Sequence, residues 1–188
     1  MTTTTKTTKK PRVAVELPAN PFIFEILELA VKQRTNAKKA EVLQTYKDPS
    51  LMAVLIWNYD PSLESVLPPG SVPFAEAKEI GVIGNDSSFS DSLGKQLKSD
   101  EMLDSYGSNS KTSIRKEYVN FFNFIKGGND SLSNIRRETM FINLLYGLHP
   151  KEAEILCLVK DKCLQEKYPI SFDVVKSAFP EIQWGNRV

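Results

Sequence analysis

The sequence from Thr112 to Asp130, TSIRKEYVNFFNFIKGGND, decides the fold class. Thr112 or Ser113 can cap the start of a helix, and Gly127-Gly128 can end it. Between these signals, apolar residues recur at intervals of three and four, which is typical of the buried face of an α-helix. This stretch therefore predicts one core helix with these inward-facing residues: Ile114, Tyr118, Phe121, Phe122 and Ile125.

Further helices follow this one at short intervals. Asp130 or Ser131 can cap a helix that continues to Gly147, and His149-Pro150 begins the next. Ser171 caps a final short helix that ends at Phe179-Pro180. Residues 112–188 therefore predict a bundle of three to four helices and a C-terminal tail. Its apolar pattern consists of Leu132, Ile135, Thr139, Ile142 and Leu145 in one helix, and Ile155, Leu156, Val159 and Cys163 in the next.

Residues 13–74 predict an N-terminal helical part that shares its core with this bundle. Asn20-Pro21 begins a helix, and Thr35 or Asn36 caps a second helix that continues to about Tyr46. Residues 51–57 form an apolar run that suits a short buried helix, with a strand as the alternative. We therefore expect an all-α fold, an N-terminal helical pair followed by the C-terminal bundle.

Two segments do not have the composition of a core. Residues 1–12 are rich in Thr and Lys and contain no acid, so they cannot bury enough apolar surface to fold alone. We interpret them as a basic tail that is either disordered or held by a partner. Residues 75–111 are rich in Ser, Gly, Asp and Asn, with more acids than bases. They predict a long irregular connector that is mobile or ordered by a partner.

Bulk properties exclude several classes of protein. The formal net charge of +1 gives no overall field to attract nucleic acid or an anionic membrane. The apolar run from Leu51 to Trp57 is far shorter than the roughly 20 residues that cross a bilayer. The first residues also lack the apolar core of a secretory signal. The sequence therefore predicts a cytoplasmic protein without a membrane contact.

The residues needed for common enzyme chemistry are scarce. His149 is the single histidine and stands before Pro150 at a helix start, where a capping or surface role is expected. Cys157 and Cys163 are too few to form a metal site with it. Phosphate-binding glycine motifs are also missing from the sequence. We therefore expect no catalytic residue, no metal and no cofactor, and a protein that is not an enzyme.

Aromatic residues near irregular segments are candidates for protein interfaces. Trp57 and Tyr59 precede a Pro-rich stretch, and Trp184 and Arg187 lie in the C-terminal tail. Trp, Tyr and Arg are enriched among the side chains that anchor interfaces. For Trp184, folding back onto the protein's own bundle is an equal alternative.

A basic patch is the second kind of candidate site. If the protein bound nucleic acid, its basic side chains should form one continuous face. Aromatic residues nearby could stack on bases, but Phe121 and Phe122 occupy predicted core positions, so nucleic-acid binding is not favoured. The candidates are Arg12, Arg115, Lys116, Arg136 and Arg137.

Four segments resemble an uncharacterised protein family of large contractile-tailed bacteriophages, especially marine and cyanobacterial ones. They are VLIWNYDP (54–61), RRETMFI (136–142), GLHPKEAEILCLVKDK (147–162) and IQWG (182–185). The likeness leaves out the tail and residues 75–110. That family has no assigned activity, so no residue role follows from it. The resemblance implies a location in the virion or in the cytoplasm of the infected bacterium.

Together these features predict a non-enzymatic phage protein that acts by protein–protein contacts. A structural or assembly component of the virion is the main hypothesis, with other phage proteins as partners, and self-association is compatible with it. The alternative is a regulator of replication or transcription that contacts nucleic acid or the host polymerase.

Overall fold

The computed structural model describes residues 17–70, 72 and 111–185. These residues form eight α-helices and one 3₁₀ helix, with no strand beyond a single bridge between Ser65 and Ile125. The predicted all-α fold is thus confirmed. The N-terminal helices are α1 (Ile23–Val31), α2 (Asn36–Thr45) and α3 (Pro49–Tyr59). They are followed by α4 (Ile114–Glu117), the 3₁₀ helix (Tyr118–Phe124), α5 (Asn134–Gly147), α6 (Pro150–Lys160), α7 (Leu164–Lys167) and α8 (Phe172–Ala178).

The N-terminal part contains three helices. Thr35 caps α2, and Asp48 caps α3 with Pro49 at its first position. The helical prediction for residues 51–57 is therefore confirmed, and the strand alternative is wrong. The first helix begins at Ile23, later than Asn20-Pro21, because the Glu25 carboxylate accepts a hydrogen bond from the Phe22 backbone N–H at 2.8 Å.

The long helix predicted from residue 112 to Gly127 is wrong. The α-helix ends at Glu117 and continues as a 3₁₀ helix, in which side chains three residues apart lie on the same side. This spacing buries Phe121 and Phe124 and leaves Phe122 exposed, whereas the α-helical pattern had placed Phe122 in the core.

The predicted core face of α5 is wrong in part, because Leu145 is buried as predicted whereas Ile135 is not. Its buried residues are Arg137, Phe141 and Leu145. Ile135, which belongs to the apolar pattern predicted from the sequence, is 79% exposed. The helix therefore has an apolar stripe on each of two sides, and the fold buries only one of them.

Helices α6 and α8 follow the predicted starts, whereas α5 begins at Asn134, so the predicted caps Asp130 and Ser131 are wrong. His149 caps α6, and α8 follows Ser171. Between them the chain turns at Lys162, which has a φ of 57°, before the short helix α7.

One core joins the two halves of the described chain. Helix α2 packs against α8, and both α1 and α3 pack against α6. Trp57 of α3 lies at the centre, 1% exposed, with its ring parallel to that of Phe124 at 6.1 Å. The helices α1 to α3 are therefore parts of the same folded unit as α4 to α8. The predicted tail (1–12) and all of the predicted connector (75–111) except Lys111 lie outside the described residues.

Candidate functional site

The charged side chains inside the fold bind backbone groups of the fold itself. Glu152, which is fully buried at the start of α6, accepts hydrogen bonds from the backbone N–H groups of Ile23 (3.2 Å) and Ile114 (2.9 Å). These are the first residues of α1 and α4, where N–H groups lack a partner within the helix. Burial raises the pKa of Glu152, against the lowering effect of these two hydrogen bonds. Glu152 thus joins three helices, a structural role.

His149 is buried and also has a structural role. Its Nδ1 accepts a hydrogen bond from the Lys151 backbone N–H at 3.2 Å, and its ring stacks on Phe24 at 4.9 Å. Burial lowers the pKa of His149, and the charge of Lys151 lowers it further. The capping role predicted from the sequence is confirmed, and the surface alternative is wrong.

Lys160 holds the segment that leads out of the N-terminal half. Its buried ammonium group donates to the backbone carbonyls of Pro68 (2.7 Å) and Gly70 (3.0 Å) and to the Asp161 carboxylate (2.6 Å). The Asp161 carboxylate accepts the Gly70 N–H in return, at 3.2 Å. Residues 68–70 are therefore fixed against the end of α6.

The predicted basic face is interrupted by two of its own members. Arg137 is 5% exposed and donates to the carbonyls of Asn123 (2.7 Å) and Asn129 (2.8 Å) and to the Asn134 side chain. Arg115 is half-buried and donates to Pro21 O (2.8 Å) and to the Asp48 carboxylate (2.5 Å). Both guanidinium groups are thus used by the fold, and including Arg137 in an exposed patch is wrong.

The other basic candidates lie elsewhere. Lys116 and Arg136 are exposed. Arg12 lies outside the described residues, so its relation to these two stays a prediction.

The predicted aromatic anchors contact the protein's own helices. Trp57 is buried, so its assignment to an interface is wrong. The Tyr59 hydroxyl donates to the Ile170 carbonyl, and its ring stacks on Phe172 at 5.9 Å. The ring of Trp184 packs edge to face against that of Phe172 at 4.9 Å, so Trp184 folds back onto the protein's own helices, the second alternative predicted from the sequence. The fourth candidate, Arg187, lies outside the described residues.

The exposed apolar residues form a different candidate site. In the described part of the chain, every large exposed apolar side chain lies between residues 119 and 146, on the 3₁₀ helix and on α5. These two elements pack against each other, with Phe124 edge to face with Phe141 at 5.2 Å. We call these side chains the 119–146 apolar surface: Val119 (57% exposed), Phe122 (49%), Ile135, Met140 and Tyr146.

No set of three or more metal-ligating side chains comes together within residues 17–70, 72 and 111–185. None of the helices described over these ranges has the length and apolar character needed to cross a bilayer. The 119–146 apolar surface can bind an apolar surface of another protein, because burying apolar side chains away from water is favourable without directional polar contacts.

A family model matches residues 26–97 and 99–166, which is most of the chain, and its description is a family of unknown function, DUF6433. The chain belongs to DUF6433. No curated protein and no solved structure matches it.

The DUF6433 match continues through the predicted connector, with a break only at residue 98. The resemblance described from the sequence left out residues 75–110, whereas the family model includes them. The connector is therefore part of the DUF6433 pattern. The match also includes Glu152, Arg137 and all of α5, and it ends before α8 and Trp184.

Sequence reasoning missed the 119–146 apolar surface, although one signal for it was present. Helix α5 contains Phe141 and Leu145 in addition to Ile135 and Ile142, which is more than one apolar stripe for a single helix. A helix with two such stripes needs two partners, and the sequence does not tell which stripe faces the protein's own core.

Proposed function

We propose that this DUF6433 protein acts without catalysis, by binding other proteins through the 119–146 apolar surface. The observation that carries the proposal is the concentration of exposed apolar side chains on two adjacent elements. Single exposed apolar residues scattered over a protein are ordinary, whereas exposed apolar residues concentrated in one region favour an interaction site.

The surface has a fixed scaffold. Arg137 of α5 donates to the carbonyl of Asn123 in the 3₁₀ helix and to that of Asn129 in the following turn. These bonds fix the position of the 3₁₀ helix, which contains Phe122, relative to α5, which contains Ile135. A preorganised surface loses less conformational freedom on binding, which favours affinity.

The resemblance to contractile-tailed phage proteins supports a specific setting. In that setting the partners are other phage proteins, and the chain is a structural or assembly component of the virion. A component of a particle needs to bind other proteins and does not need a catalytic site. The 119–146 apolar surface supplies a surface for such binding.

Quantitative mass spectrometry of purified particles, beside a lysate of infected cells, tests this function. We expect the chain at a fixed stoichiometry in particles. The variant Phe122→Asp should reduce its incorporation at least tenfold at an unchanged level in the lysate. Asn36→Asp is the control, since it makes the same charge change at an exposed first position of α2. Absence of the wild-type chain from particles would overturn the structural role.

A second candidate is a regulator that contacts nucleic acid, and the exposure of Lys116 and Arg136 favours it. Binding to DNA or RNA at low salt should then weaken in Lys116→Ala and Arg136→Ala and fall steeply with added salt. If the wild-type protein shows no binding at low salt, this candidate is refuted.

A further inference from the structure

A short pair of antiparallel extended segments joins the two halves of the described chain. The Val66 N–H donates to the Phe124 carbonyl at 3.0 Å, and the Lys126 N–H donates to the Glu64 carbonyl at 2.9 Å. These two bonds flank the bridge of Ser65, so the bridged residues form a non-hydrogen-bonded pair. In such a pair the backbone N–H and C=O of each residue point away from the partner segment. Ser65 therefore presents both groups at the opposite edge.

This opposite edge of the segment 63–67 lacks a backbone partner. Within residues 17–70, 72 and 111–185, neither the N–H nor the C=O of Ser65 makes a hydrogen bond, and the N–H of Leu67 makes none. We call residues 63–67 the 63–67 edge. An open strand edge can pair with another extended chain, because its backbone donors and acceptors form a ready row. The 63–67 edge is therefore suited to one added strand.

A groove of about 740 Å³ provides the space for such a strand. Leu63, Ser65 and Leu67, the alternate residues of the 63–67 edge, all line it, and residues 160–162 at the end of α6 line it as well. The α6 side is fixed in place, because the Lys160 ammonium binds the carbonyl of Gly70 at 3.0 Å. The volume lies within the range of about 300–1,000 Å³ that is typical of ligand sites. It is therefore large enough for a few residues of an extended peptide.

The groove contains one positive charge without an opposite charge beside it. Its two acids, Glu64 and Asp161, each pair with a lysine, at 2.7 and 2.6 Å. Lys162 makes no ion pair in the described part of the chain, and its half-buried ammonium donates to the Asp60 carbonyl at 2.7 Å. An ammonium has three donors, so two remain for a ligand. Lys162 also has a φ of 57°, and non-glycine residues in this region are concentrated at functional sites.

We propose that the groove binds an extended, acidic peptide segment of another protein, which pairs its backbone with Ser65 and places a carboxylate on Lys162. In this mode of recognition the backbone pairing supplies affinity, and the side-chain contact supplies the preference for an acid. The site goes beyond the proposed function, because none of the residues that line the groove belongs to the 119–146 apolar surface.

Two blocked hexapeptides test the site, Thr-Val-Thr-Asp-Thr-Val and the same sequence with Lys in place of Asp. Each is titrated into the isotope-labelled full-length protein and followed by NMR. The Asp peptide should slow hydrogen exchange of the Ser65 amide at least fivefold, because that N–H gains an acceptor. It should also bind at least threefold more tightly than the Lys peptide. If neither peptide changes the Ser65 amide, or if both bind equally well, the proposal is overturned.

Substitutions of Ser65 separate the backbone group from the side chain. Ser65→Pro removes an N–H that no described residue uses, so it should weaken binding of the Asp peptide at least tenfold. Ser65→Ala keeps the N–H and removes a hydroxyl that makes no hydrogen bond with the described residues, so its affinity should stay within about twofold of the wild type. Equal affinities of the two variants would contradict strand pairing. Should Ser65→Pro fail to fold, the exchange rate of the wild-type amide decides the same point.

Substitution of Lys162 tests the preference for an acid. Lys162→Met should bind the Asp and Lys peptides equally, while Lys38→Met, the same charge change at an exposed position of α2, should keep the preference. A preference retained in Lys162→Met would overturn the assignment of the carboxylate to this residue. Phe122→Asp should bind the Asp peptide like the wild type, so a failure of the groove and a failure of the 119–146 apolar surface are distinguished.

Discussion

The Glu152 carboxylate accepts the backbone N–H of Ile114, 38 residues earlier in the chain, at 2.9 Å. Its second oxygen accepts the N–H of Ile23, at 3.2 Å. One buried side chain therefore satisfies the first N–H groups of two helices, where the helix dipoles also favour a negative charge. This arrangement connects the N-terminal helices to α4 and α6 by polar contacts as well as by packing.

Replacing Glu152 should destabilise the whole fold. In Glu152→Gln the amide nitrogen must face one of the two N–H donors, so a buried donor loses its acceptor at a cost of about 1–3 kcal/mol. Urea unfolding followed by circular dichroism measures the change in the free energy of unfolding. Glu41→Gln on the exposed side of α2 is the control and should change it by less than about 0.5 kcal/mol. Equal effects of the two substitutions would contradict the role of Glu152.

His149 should make the fold sensitive to mild acid. Burial lowers its pKa below the ordinary 6.5, so the unfolded chain binds a proton at a pH where the folded chain does not. Stability from this group is complete above pH 6.5 and is lost as the pH falls from 6.5 through the lowered pKa.

The variant His149→Asn isolates this effect, because Asn keeps a side-chain acceptor for the Lys151 N–H and does not titrate. Melting temperatures measured between pH 7.5 and 5 should fall more steeply for the wild type than for the variant. Parallel curves would show that His149 does not contribute to the pH dependence.

Helix starts were the part of the fold that the sequence predicted best. Thr35, His149-Pro150 and Ser171 all precede helices as predicted. The side chains of Thr35 and His149 cap their helices, and such a capping side chain acts within a few residues. Such local signals need no knowledge of the rest of the molecule.

Side-chain partners across long separations could not be predicted in the same way. Glu152, Lys160 and Arg137 have charged side chains that sequence reasoning assigns to the surface. Glu152 and Lys160 are buried because they meet backbone groups of segments that only the tertiary fold brings near them. Arg137 is buried because it meets carbonyls only 8 and 14 residues earlier in the chain. The candidate site was missed for a related reason, since the choice between the two apolar stripes of α5 depends on what packs against that helix.

Arg137 and Arg136 should differ sharply although they are neighbours. Arg137 is buried with three acceptors, and a lysine in its place cannot reach all of them from one nitrogen. Arg137→Lys should lower the free energy of unfolding by about 2–3 kcal/mol, because buried carbonyls lose their donors. Arg136→Lys, the same change at an exposed position, should alter it by less than about 0.5 kcal/mol. Chemical denaturation measures both, and a harmless Arg137→Lys would contradict the buried network.

The 3₁₀ helix gives the sharpest test of the backbone assignment, because it reverses the roles of two phenylalanines. Phe124 is 1% exposed and packs between Trp57 and Phe141, so Phe124→Ala should cost about 3–5 kcal/mol of stability. Phe122 is about half exposed, and Phe122→Ala should cost less than about 1 kcal/mol. A continuous α-helix with the apolar pattern predicted from the sequence would bury Phe122. In that case Phe122→Ala would cause the larger loss of stability. Thermal and urea denaturation of the two variants decide between these backbones, since both changes remove the same side chain within one short segment.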